Sequence, residues 1–180
     1  MFFKKLHMKY KNFLIILLLS IILAKPGYAQ EDAGIYAMGI KAARDRNMDF
    51  AFMHFRALVN DFPASKYKEK ALFAVGEYYF SLPSHAPAAV TFKSFLSEYP
   101  DSKAKLFALM YLFKIAEIRN NENLRNDLET RIINFKQVSL VFRDFKEYFY
   151  RSSLKDYKAA FHIDRIEFFV AGEPFANISF

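Results

Sequence analysis

The chain has 180 residues, 18% of them aromatic, no cysteine, and a formal net charge of +7. That length suffices for one domain with a real core, and the missing cysteine excludes disulfides, thiol catalysis and thiolate metal sites within it. Five lysines and no acid fall before residue 30, leaving +2 for the remainder, so the charge does not describe a nucleic-acid-binding surface.

The start reads as an export leader. Lys4, Lys5, Lys9 and Lys11 precede an uncharged apolar run over 13–24, and Gly27 and Ala29 are small residues placed for cleavage after Ala29. The apolar run is shorter than the roughly 20 residues that cross a bilayer as a helix. Residues 1–29 are therefore expected to be a signal peptide, with an uncleaved anchor as the alternative. The exported protein is expected to be periplasmic or beyond. Without cysteine it is not expected to be a lipoprotein, so membrane association would be indirect or through an uncleaved leader.

Two phrases then repeat. "FRALVNDFPAS" at 55–65 returns as "FKSFLSEYPDS" at 92–102, an offset of 37 residues. The same offset carries Gly39 onto Gly76, Ala51 onto Ala88 and Ala71-Leu72 onto Ala108-Leu109. Ala51, Phe55, Leu58 and Phe62 share one helical face. Residues 71–80 read as the helix after the first turn, with Ser65 as a plausible N-cap. Pro63 and Pro100 separate helices, and Pro87 suits a first helical turn. Gly39 and Gly76 are expected to let neighbouring backbones approach, and Phe55 and Phe92 to fill the gap between successive hairpins. Such hairpins cannot bury their own apolar faces and must stack.

The order Gly39–Ala51–Phe55–Leu58–Pro63, repeated as Gly76–Ala88–Phe92–Phe95–Pro100, resembles the tetratricopeptide repeat. The lengthened unit, with its aromatic-Pro-x-Ser ending, is similar to BamD-like periplasmic proteins and to the repeat domain of YbgF (CpoB). The resemblance covers roughly 33–118, and the expected repeat region is 30–118. It implies an all-α hairpin solenoid. Two departures stand out: BamD-type chains are lipoproteins and this one lacks cysteine, and no coiled coil of the YbgF kind precedes the repeats.

The third unit decays, with Phe113 where glycine stood and Gln137 in the proline position. Residues 119–155 are expected to be degenerate capping helices, including an amphipathic helix over 137–150. Residues 156–180 form a C-terminal extension. There "AFHIDRIEFFV", the turn signal "AGEP" and "FANISF" read as a β-hairpin packed on the last helices.

No chemistry emerges. His54, His85 and His162 have no metal-pair spacing, and no nucleophile elbow, glycine-rich phosphate loop or calcium loop is present. No enzyme activity, metal or cofactor is expected. Binding remains. In tetratricopeptide repeats the first helix of each hairpin lines a concave groove. By register this resemblance places Tyr36, Ile40 and Arg44 there from the first unit, Lys70, Phe73, Glu77 and Phe80 from the second, and Met110, Lys114 and Glu117 from the third. The alternative for Phe73, Phe80 and Met110 is the core. The implied function is an envelope scaffold or adaptor, of barrel-assembly or Tol-Pal type, that docks a protein or peptide segment. The rival readings are an accessory subunit holding a peptidoglycan enzyme and a self-assembling structural protein.

Overall fold

A computed structural model of the chain describes residues 28–141 and 147–179, with side chains described over 31–135 and 147–179. All but the last two residues of the expected leader lie outside the described residues. Among those described, six helices form three hairpins. The first pairs α1 (Tyr28–Arg44) with α2 (Met48–Asp61), and the second pairs α3 (Lys68–Phe80) with α4 (Ala86–Glu98). The third pairs α5 (Lys105–Ile118) with α6 (Glu122–Val141). The hairpins stack through α2 on α3 and α4 on α5. This is the expected tetratricopeptide-like solenoid.

The repeated phrase is a double turn. The Phe62 carbonyl accepts from the Ser65 amide with Pro63 between them, and the Ser65 carbonyl accepts from the Lys68 amide. The Ser65 Oγ accepts from the Tyr67 amide at 3.1 Å. Tyr99, Pro100 and Ser102 repeat this arrangement, with the Ser102 Oγ taking the Ala104 amide at 2.9 Å. Proline fixes φ at the second turn position and serine occupies a backbone donor that no ladder uses. Ser65 therefore acts one turn ahead of the helix, which starts at Lys68 rather than 71.

The glycines have a different task from the one expected. A Cβ on Gly39 would lie 2.6 Å from the Phe55 ring, and one on Gly76 would lie 2.8 Å from the Phe92 ring. Each glycine is thus a cradle for the phenylalanine of its own hairpin. The Phe92 ring cannot retreat, because Tyr111 stacks on it at 4.6 Å and Phe73 meets its edge at 5.5 Å. In the third hairpin Phe113 replaces the glycine and Glu129 stands in the phenylalanine position, so the ring has moved to the first helix. Phe113 is buried.

The third hairpin keeps its turn. Arg46 and Asn120, 74 residues apart, both have positive φ. The amides of Asn47 and Asn121 each reach back five residues, to Ala42 and Ala116 at 2.9 Å, as in a Schellman ending. Both asparagine side chains then cap the following helix, through the Phe50 and Leu124 amides.

The extension departs from expectation. Residues 147–151 are strand rather than helix, and the sheet is an antiparallel meander: β1 (Glu147–Arg151), β2 (Asp156–Phe161), β3 (Arg165–Val170), β4 (Glu173–Ser179). The expected β3–β4 hairpin is present, its turn built by Ala171 and Gly172, both at positive φ. "AFHIDRIEFFV" is not one strand; it breaks at 162–164 into β2 and β3. "EYFYR" misleads because Tyr148 and Tyr150 alternate with exposed neighbours, a period of two that a helical reading of 137–150 overrode. Tyr148, Tyr150, Tyr157, Ala159, Ile166, Phe168 and Ile178 bring one sheet face to the helices, packing on α5 and α3. Helix α5 is buried nearly all round for this reason: α4, α6 and the sheet each cover a side.

Gly76→Ala is expected to destabilise the chain by up to about 2 kcal/mol, an overpacking cost of about 1–3 kcal/mol set against a helix-propensity gain of about 1 kcal/mol. Gly34, whose added Cβ would meet nothing, should instead gain about 0.5–1 kcal/mol as alanine. Denaturant unfolding of both variants checks this, and a stabilised Gly76→Ala would refute the cradle.

Candidate functional site

The inner surface of the solenoid is made by the first helix of each hairpin, as the register implies, but most of it is occupied by the chain's own sheet. Phe73 and Met110 are fully buried. The Phe73 ring meets Tyr150 and Tyr157 at 5.4 and 5.7 Å, besides Phe92, Phe95 and Tyr111. Phe80 is half-buried between His85, Tyr111 and Phe175. These three residues are structural contacts here, not a free peptide-binding lining. Lys114 and Glu117 pair with each other at 3.0 Å, half-exposed.

Glu77 is also buried, which charge alone would not suggest. Its Oε1 accepts from the Tyr157 hydroxyl and, at 2.9 Å, from the Ser152 hydroxyl, while Tyr157 shares a 2.7 Å hydrogen bond with Tyr111. Oε2 has no partner among the described residues. Burial pushes the carboxyl up to about 7, against the hydrogen bonds from Tyr157 and Ser152 and the nearby Lys155 charge, all of which favour the carboxylate. Burial, with the Glu77 charge second, likewise raises both the Tyr111 and Tyr157 hydroxyls. Three hydroxyls lie around a buried carboxyl. The arrangement is a latch between α3 and the sheet rather than an exposed acid or base.

The β1–β2 loop is the second attachment. Ser152 Oγ accepts from the Leu154 and Lys155 amides at 3.0 and 2.9 Å, shaping the loop that it also ties to Glu77. Ser153 and Tyr36 share a 2.9 Å hydrogen bond, so the loop is held to α1 as well. Tyr36 is itself stacked on Tyr67 at 4.6 Å.

Beyond this loop the groove remains open. A cleft of about 790 Å³ lies between the first hairpin and the sheet, lined on the repeat side by Tyr36, Ile40, Ala43, Arg44 and Lys70. Its other wall is 151–156 with the Ala171-Gly172 turn. Four residues expected in the groove thus converge here, while Phe73, Glu77, Phe80 and Met110 lie under the sheet. Sequence reasoning missed the opposite wall. "RSSLKD" carries two cations and two serines between strand-forming runs, and that was the available signal. Among the described residues no group of His, Cys, Asp or Glu is arranged to hold a metal.

The latch predicts a pH dependence. Glu77 titrates near 7 when folded and near 4.3 when unfolded, so its folded-state pKa is raised. Its contribution is fully present below about pH 4.3 and is lost as pH rises through about 7, a decline on the order of 3 kcal/mol. Unfolding of the native chain and of Glu77→Gln at pH 5 and pH 8 checks this. The variant should lose most of the dependence, and an unchanged slope would assign it elsewhere.

A family model described as outer membrane lipoprotein, YfiO, matches residues 28–157. The match runs from the start of α1 into β2, over all three hairpins, the latch and the β1–β2 loop. No curated protein and no solved structure matches the chain significantly. With more than half of its length matched and with these repeats, the chain belongs to the YfiO family of BamD-like, tetratricopeptide-type outer membrane lipoproteins.

Proposed function

We propose that the chain is an exported protein-binding adaptor of the bacterial cell envelope, and that it holds a partner segment in the open end of its inner groove. The observation that carries this is the 790 Å³ cleft, where Tyr36, Ile40, Arg44 and Lys70 remain accessible while Phe73, Glu77 and Met110 are buried. Family membership supports an envelope setting. None of the 180 residues is a cysteine that could carry a lipid, and no helix among the described residues is long and apolar enough to cross a membrane. On this reading, contact with the outer membrane would run through the partner or through an uncleaved leader. Binding is favoured over catalysis because Glu77, the one strongly perturbed carboxyl among the described residues, is buried under the sheet.

A partner held in the groove contacts different residues from one held on the outer surface. A photo-crosslinking amino acid at Ile40, inside the cleft, is expected to yield an adduct with an envelope protein in intact cells. The same group at Met53, exposed on α2, should not. Adducts confined to Met53 would move the binding surface off the groove.

A further inference from the structure

We infer that this cleft takes an acidic peptide segment, one in which carboxylate side chains alternate with apolar ones. The inference rests on the adaptor reading above and adds the chemistry of the partner. Three cations from three separate elements converge on the cleft: Arg44 from the last turn of α1, Lys70 from the first turn of α3, and Lys155 from the β1–β2 loop. None of the three makes an ion pair among the described residues. The one acid lining the cleft, Asp156, is already bound to Arg151 through both carboxylate oxygens.

Lys155 feels the Glu77 carboxyl from beneath the sheet, which leaves Arg44 and Lys70 as exposed cations whose field favours an anion in the cleft. Arg44 has a local reason for its place, since a cation suits a helix C-terminus. Lys70 has none, because the first turn of a helix disfavours a cation. Beside the charges the lining also presents apolar side chains, Ile40, Ala43 and Leu154. A phosphate or a lipid headgroup would meet the cations and leave those side chains wet. A peptide with interleaved acidic and apolar side chains would cover both, and the volume falls within the range of pockets that enclose a ligand of several groups. The walls are already fixed by the Ser152–Glu77 and Ser153–Tyr36 hydrogen bonds, so little ordering is lost on binding.

The test uses the purified 180-residue chain and a fluorescent octapeptide of alternating glutamate and leucine, with a glutamine–leucine peptide as control. The acidic peptide should bind at least tenfold more tightly than the control and weaken at least tenfold between about 0.05 and 0.5 M salt, where exposed charges become screened. The Arg44→Glu, Lys70→Glu variant, altered only at exposed positions and checked for unchanged circular dichroism, should lose at least tenfold. Equal binding of both peptides, or no loss in the variant, overturns the inference. So does phosphatidylglycerol vesicle or inorganic phosphate binding that depends on Arg44 and Lys70 while the peptide fails to bind. An Ile40 adduct in cells without acidic-peptide binding removes the acidic specificity and keeps the adaptor. Peptide binding without any adduct supports the cleft's chemistry and removes the adaptor.

Discussion

A carboxyl group with no access to water holds the two halves of this molecule together. Glu77 stands on the inner face of the second hairpin and receives hydroxyls from Tyr157 on β2 and Ser152 on the β1–β2 loop. Burying a carboxyl is costly, and the cost is moderated here because donors arrive from the sheet and because the proton can stay on near neutrality. The dependence is mutual. The repeats would expose Phe73, Phe107 and Tyr111 without the sheet, and four short strands would have no core without the repeats.

The solenoid tolerates divergence because each contact is a pair that can change as a pair. Glycine and phenylalanine face each other in the first two hairpins. In the third hairpin both positions have changed, Phe113 bringing its ring from the first helix and Glu129 vacating the second. The turn did not change, since positive φ at Arg46 and Asn120 and capping by Asn47 and Asn121 solve a backbone problem that packing cannot. What looks like decay in the pattern of large residues is therefore a third hairpin with the same ends and a different filling.

The repeats were legible because their constraints are local. Proline, serine and the spaced aromatics fix turns and faces within a dozen residues, and these carried the fold class and the identity of the inner helices. The sheet was only half legible. "AGEP" marked the β3–β4 turn, but β1 sits where aromatic residues also satisfy a helical period, and nothing local decides between them. The candidate site divided along the same line. Register placed Tyr36, Ile40, Arg44 and Lys70 on the inner face, yet no feature near Phe73 or Glu77 says that Tyr157 lies against them. Contacts spanning 80 residues are set by the tertiary fold alone.

The position of the open cleft follows from the composition of the three inner faces. At equivalent positions the hairpins present Tyr36, Phe73 and Met110, and then Ile40, Glu77 and Lys114. The aromatic sheet settles on the second and third hairpins, where α5 is apolar over most of its surface and α3 offers Phe73 and a carboxyl for its hydroxyls. The first hairpin meets the loop through Tyr36 and through the apolar cluster on which Leu154 packs, and beyond those contacts it carries Arg44 with Lys70 close by. The apolar face of the sheet lies over α3 and α5, and the two cations beyond the loop stay uncovered. An open groove bordered by those cations favours an occupant of opposite charge.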